Sequence, residues 1–185
     1  MVVPTPCLIW YVGAHTQGND GKRLRRDYKC SMDVFEPVPE FFTQLEKSWA
    51  TVPKSRLHAY GLGASDRVVR GVKTLGQSTF AMRGHSNTGS TIPIRNVAQV
   101  WQELGSPHID VLHVNCEGCE WEMWETLLAH DIMPHIGIVN IGTHWFKDLD
   151  HLEHRYCRIA DEMRRTHHMV FKQEFAWERW SRRVP

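Results

Sequence analysis

The chain contains no apolar run approaching the ~18 residues of a membrane span. It also has almost no charge imbalance: 22 Lys and Arg stand against 21 Asp and Glu, for a net charge of +1. Bulk electrostatics therefore gives no reason to expect nucleic acid as a partner. Met1 to Ala14 has no basic n-region, so it does not read as a secretory signal. The five cysteines are odd in number and lack framework spacing. They point to free thiols, a reducing compartment and a cytoplasmic location. There is no internal repeat and no low-complexity segment. The composition that remains, 42% hydrophobic and 23% charged over 185 residues, is that of a globular chain long enough for one sizeable core. We read residues 1–185 as a single domain, with 68–94 as a flexible insertion.

The chain is organised around Asp110 to Trp121. The apolar run Val111 to Val114 is broken only by His113, and it ends in Asn115-Cys116-Glu117-Gly118-Cys119-Glu120. Trp121, Trp124, Leu127 and Leu128 then recur at helical steps. This predicts a buried strand, a turn and a helix. Earlier strands are predicted at Cys7 to Val12, Ser31 to Phe35 and Arg56 to Leu62. Helices are predicted over Asp20 to Tyr28, capped by Asp20, and over Glu40 to Trp49. Asn96 is placed to cap a helix ended by Gly105. The least readable stretch, Val68 to Ile94, suggests an edge strand or a hairpin. Ile136 to Ile141 is a further strand. Leu149, Leu152, Tyr156, Ile159 and Met163 mark an amphipathic helix, and Met169 to Trp180 reads as one or two strands. Strands alternating with helices imply a doubly wound, mostly parallel α/β sheet.

In such a sheet the polar residues at the strands' carboxyl ends face the ligand crevice. That makes Asn115, Glu117 and Glu120 candidates. The loop after the first strand is small and glycine-bearing, Gly13-Ala14-His15, and lets a backbone approach a ligand closely. The second strand ends in Glu36, roughly 20 residues later, where an acid can hold both ribose hydroxyls. Gly63-Ala64-Ser65-Asp66 is placed to border a base, with Asp66 within reach of an exocyclic amine. The glycines do not match G-x-G-x-x-G, which argues against a pyrophosphate and hence against a nicotinamide oxidoreductase. A nucleoside without phosphates fits better, and S-adenosylmethionine is the common one.

Tyr11-Val12-Gly13-Ala14-His15, Val34-Phe35-Glu36-Pro37-Val38-Pro39, Gly61-Leu62-Gly63-Ala64-Ser65-Asp66 and Ile109 to Glu120 resemble, in order, the motifs of FkbM-type methyltransferases. The resemblance spans most of the chain and is most specific at Phe-Glu-Pro and Glu-Gly-x-Glu. It implies a Rossmann-like class I fold, S-adenosylmethionine as cofactor, and methylation of a small-molecule or glycan hydroxyl. It further implies that Gly13 and Ala14 line the methionine side and that Glu36 holds the ribose, with His15 and Pro37 as further cofactor-binding candidates beside them. Ser65 and Asp66 would lie near the adenine, and Asn115, Glu117 and Glu120 near the reaction centre. The family usually carries an acid at position 11 and Asp at position 115, so Tyr11 and Asn115 each remove a carboxylate. An amide orients groups but cannot serve as a base. The candidate bases are then His144 and Glu117, and a methyltransferase-like binding module without turnover is the competing reading.

Other features have plainer readings. Cys116 and Cys119 lack the second pair that zinc would need and read as small packing residues. His113 points to the sheet face opposite Leu112 and Val114. His167-His168, at a helix end, meets the dipole or solvent. Lys22 to Arg26 is most simply a solvated helix face, with attraction of an anionic acceptor as the alternative, and Trp145, Trp177 and Trp180 are candidates to line an acceptor pocket or a partner surface.

Overall fold

The computed structural model describes residues 6–72, 90–144, 151–173 and 176–183. Its main sheet has seven strands: β1 (Leu8–Val12), β2 (Ser31–Phe35), β3 (Ser55–His58), β7 (Ile109–Val114), β8 (Ile136–Gly142), β9 (His167–Gln173) and β10 (Trp177–Arg182). They run in the order β3-β2-β1-β7-β8-β10-β9. The first five are parallel, and β10 is antiparallel to both β8 and β9. This is the expected α/β architecture of the class I methyltransferase fold. The chain reverses direction in strand order at β1/β7, which opens a crevice beyond the carboxyl ends of those strands.

Each strand has one face toward each helical layer, because side chains alternate along it. Ile9, Tyr11, Met32, Val34, Val111 and Ile138 pack with Leu45 and Trp49 of α2 (Pro39–Trp49) and with Leu24 of α1 (Asn19–Tyr28). Trp10, Val12, Leu112, Val114, Val139 and Ile141 pack on the other face. Their partners there are α3 (Val97–Glu103), α4 (Cys119–Ala129) and α5 (Leu152–Thr166). Asn96 caps α3 as expected, accepting from the backbone N–H groups of Ala98 and Gln99. The cap of α1 is Gly18, in left-handed conformation, rather than Asp20, which sits in the first turn.

The predicted third strand, Arg56 to Leu62, is two strands. After β3 the chain leaves the main sheet, and β4 (Gly61–Gly63) joins β5 (Arg67–Val72) and β6 (Ser90–Asn96) in a second sheet ordered β4-β6-β5. The antiparallel β5–β6 pair realises the edge-strand expectation for this region; Ser78 to Met82 lies outside the described residues. Leu149 and Trp145 also lie outside them.

Three expectations are corrected. Cys7–Cys30 and Cys116–Cys119 form disulfides, leaving Cys157 as the free cysteine among the described residues. Cys7 precedes β1 and Cys30 precedes β2, so the parallel pairing of those strands brings together residues 23 apart. His167 is fully buried, not solvated: its Nε2 lies 3.0 Å from the Ile136 carbonyl, and burial pushes its pKa down to about 4. Trp180 is also fully buried, against Trp124 in the core, and lines no pocket mouth. No described helix is long and apolar enough to cross a membrane.

Candidate functional site

Glu36 ends β2 with its side chain turned to the loop after β1. Oε2 accepts from the His15 backbone N–H at 2.7 Å and Oε1 from the Val38 N–H at 2.9 Å. Only 3% of the residue is exposed. Burial raises its pKa to about 7, although the two backbone hydrogen bonds oppose the rise. A carboxylate offers roughly four lone-pair positions. Two are used, so capacity remains for a pair of hydroxyls delivered along the loop. Pro37 is buried behind it, and Ala14 is buried in the α1–α2 face. His15 is exposed, has φ 55° and packs its ring 4.1 Å from Phe41.

Gly13 has φ +84°, and a Cβ there would lie 2.0 Å from the Asn115 carbonyl oxygen. The glycine thus lets the β1 loop cross directly over the β7 turn. The Asn115 N–H donates to Val12 O at 2.9 Å across the same junction. The Asn115 side-chain oxygen and the His144 ring both lie beside Gly142, at the tip of β8.

The turn between β7 and α4 carries the charged cluster. Glu120 is fully buried. Its Oε2 accepts from Gly118 N at 2.8 Å, and its Oε1 accepts from His144 N at 2.8 Å and lies 3.0 Å from His144 Nδ1. The other ring nitrogen, Nε2, is 3.2 Å from Glu117 Oε1. Burial alone would depress the imidazole, but the hydrogen bonds and charges of Glu120 and Glu117 outweigh it and raise the His144 pKa above its ordinary value. His144 therefore holds a proton more readily than an ordinary imidazole. Glu117 has φ 55° and a side chain 22% exposed, which makes it the reachable carboxylate of the pair.

The structure brings Gly13, Asn115, Glu117 and His144 to one place, and Glu36 to the adjoining loop. Ser65 and Asp66 follow β4 of the second sheet. Both are exposed in the β4–β5 turn; Asp66 accepts from Asn96 N at 2.6 Å, and neighbouring Ala64 donates to Glu122. Tyr11 lies under α1, its ring against Gly21 and 5.2 Å from His113, with its hydroxyl pKa pushed up by burial. Sequence reasoning named Glu120 and His144 separately but missed their pairing, for which no local signal exists across 24 residues. Among the described residues no cluster of three or more His, Cys, Asp or Glu could hold a metal ion.

Comparison with solved structures returns methyltransferases of the same fold. A methyltransferase from Streptococcus mutans in complex with SAH superposes with a TM-score of 0.58 at 9% identity, over 98% of this chain and 92% of the other. An rRNA methylase from Streptococcus thermophilus gives 0.57 at 10% identity, over 99% and 90%. Fibrillarin in its complex with Nop5p gives 0.58 at 9% identity, over 99% and 76%. No curated protein matches the chain in sequence. The family described as Methyltransferase domain (Methyltransf_22) matches residues 3–181. With that match across nearly the whole chain, on this fold and with a buried acid at the tip of β2, the protein belongs to the Methyltransferase domain family, whose methyl donor is S-adenosylmethionine.

Proposed function

We propose that the chain transfers a methyl group to a hydroxyl of a small molecule or glycan, as the FkbM-type resemblance implies. Glu36 carries the reading: a buried carboxylate, turned to the Gly13 loop, is placed to accept from the ribose hydroxyls. Gly13 and Ala14 would border the methionine end, with Asn115 orienting polar groups there. Bound in this crevice, S-adenosylmethionine supplies an electrophilic sulfonium methyl. The acceptor oxygen would attack that methyl in line with the sulfur, forming an O–CH3 bond as the S–CH3 bond breaks, and S-adenosylhomocysteine would leave with the electron pair on sulfur. The acceptor proton passes to Glu117, the reachable carboxylate of the pair, because Glu120 is buried with both oxygens engaged. His144, held by Glu120, fixes Glu117.

The fold neighbours include RNA methylases, but likeness near 10% identity carries fold alone. A net charge of +1 gives no bulk attraction for a polyanion. The second reading is a binding module without turnover. It is favoured by one observation: Tyr11 and Asn115 stand where the family usually has carboxylates. Calorimetric titration with S-adenosylhomocysteine tests the first reading. A folded sample that does not bind it defeats the methyltransferase proposal. Binding that weakens at least tenfold in Glu36→Gln supports it, and turnover with any hydroxyl acceptor eliminates the binding-module reading.

A further inference from the structure

One register row crosses the main sheet through Val34, Tyr11, His113, Asn140, Arg179 and Phe171. Helices α1 and α2 cover its first two members. Beyond them, between α1 and β10, lies a cavity of about 530 Å³ lined by Asp20, Arg23, His113, Asn140, Phe171, Trp177 and Arg179 among others. That volume is typical of a small-molecule site.

Its lining is built for a particular chemistry. His113 is 8% exposed, and among the described residues neither ring nitrogen has a hydrogen-bond partner. Burial keeps the ring neutral, with a pKa near 4, so it offers one donor and one acceptor. The Trp177 ring lies 5.3 Å from it, and Phe171 is 53% exposed at the opposite rim; together they present flat apolar surface to a ring. Arg179 donates from Nε to the Asn140 side-chain oxygen at 2.7 Å. Its terminal nitrogens are left as a fork that matches a carboxylate. Arg23, across the cavity, faces Asp20 at 3.7 Å. The Glu178 carboxylate turns away to Tyr156 and Trp180. Among the described residues one positive charge, that of Arg179, has no carboxylate partner, which suits a singly charged carboxylate better than a phosphate.

The cavity also adjoins the candidate reaction centre. Trp177 pairs with Gly142, which touches Asn115 and His144. We propose that this cavity receives the acceptor, and that the acceptor is a ring compound bearing both a hydroxyl and a carboxylate. Its carboxylate meets Arg179, its ring lies against Trp177, Phe171 and His113, and the hydroxyl to be methylated extends past Gly142 toward Glu117. The assignment rests on the methyltransferase reading above.

The test uses the full chain at pH 7.5, titrated calorimetrically with glucuronate, 4-hydroxybenzoate, and their neutral counterparts glucose and phenol, with and without S-adenosylhomocysteine. At least one acid should bind ten or more times tighter than its neutral counterpart. Arg179→Gln should erase that preference, and Phe171→Ala should weaken ring binding. Both residues are exposed, so these variants keep the fold. Preference for glucuronate assigns a sugar acid; preference for 4-hydroxybenzoate assigns an aromatic acid. Equal binding of acid and neutral probes, no binding, or indifference to Arg179→Gln overturns the proposal while S-adenosylhomocysteine binding leaves the methyltransferase reading standing. Acid binding in a chain that never binds S-adenosylhomocysteine overturns the acceptor role through failure of that reading.

Discussion

Glu120 holds His144 by two atoms at once: one carboxylate oxygen serves the histidine's backbone N–H at 2.8 Å and its ring Nδ1 at 3.0 Å. The same side chain accepts from Gly118 N, so the β7–α4 turn and the tip of β8 are fastened through one buried carboxylate. Side chains that close a loop in this way set both the position and the charge of the groups they touch.

Replacing Glu120 by Gln should lower the His144 pKa, readable in an NMR titration of its ring resonances. In the folded protein that pKa is raised. The ion pair therefore stabilises fully below the unfolded value of about 6.5 and is lost as pH rises through the folded value. Removing one partner of a buried pair costs about 3–5 kcal/mol. Since His144 is 25% exposed on its side chain, about 2 kcal/mol at pH 6 is the better expectation after screening, shrinking by pH 9. An unchanged His144 titration in the variant would show that Glu120 does not set its charge.

Glu36 works in the opposite direction. Its folded pKa, about 7, lies above the unfolded carboxylate value of about 4.3. The folded state thus binds the extra proton between those values, and this group's contribution to stability falls as pH rises from about 4.3 to 7. The span corresponds to roughly 4 kcal/mol at 1.36 kcal/mol per pKa unit. Urea unfolding at pH 5 and pH 8 measures it, and the slope should flatten in Glu36→Gln. Ribose hydroxyls donate best to the ionised form, so S-adenosylhomocysteine should bind more tightly at pH 8 than at pH 5.5. Affinity independent of pH across that window would separate the carboxylate from the ligand.

How much of this was legible in the sequence depended on whether the signal was local. The limits of β2 (Ser31–Phe35) and the Asn96 cap follow from apolar patterning and a side chain that reaches two and three residues ahead. The split of Arg56 to Leu62 does not, because β4 finds its partner β6 more than 30 residues later; the apolar run looks continuous until that pairing is known. Glu36 could be placed by its offset from the Gly13 loop. Ser65 and Asp66 could not, since their position follows from the second sheet. The cysteines looked unpaired because the Cys7–Cys30 contact is made by strand neighbours, not by spacing. The cavity was invisible because it exists only where α1 stops covering the sheet.

Gly13→Ala should be the most damaging single methyl in the site. The added Cβ would meet the Asn115 carbonyl at 2.0 Å, on a backbone with φ +84°. A left-handed alanine costs about 1–2 kcal/mol, and forcing two backbones apart adds about 1–3. Gly105→Ala is the control: φ is +90° there, but nothing lies within 4 Å of the new atom. Chemical denaturation of the two variants separates clash from conformation. A loss of about 1 kcal/mol at Gly105 beside about 3 or more at Gly13 is expected, and equal losses would contradict the close crossing.

The two disulfides should differ in what they contribute. Cross-linking restricts the unfolded chain more when the closed loop is longer. Cys7–Cys30 spans 23 residues and Cys116–Cys119 only 3. The loop-entropy relation gives about 3 kcal/mol for the first and about 2 for the second. In a chain of 185 residues, 1 kcal/mol shifts Tm by roughly 2–4 °C. Cys7→Ser with Cys30→Ser should therefore lower Tm by about 6–12 °C. The Cys116/Cys119 pair replaced in the same way should lower it by less, since its short loop confines few unfolded conformations. If reduction of the unmodified chain leaves Tm unchanged, neither bridge restrains the unfolded state. If the short-loop variant falls further than the long-loop one, its bridge acts through the folded β7–α4 turn, and binding of S-adenosylhomocysteine should weaken with it.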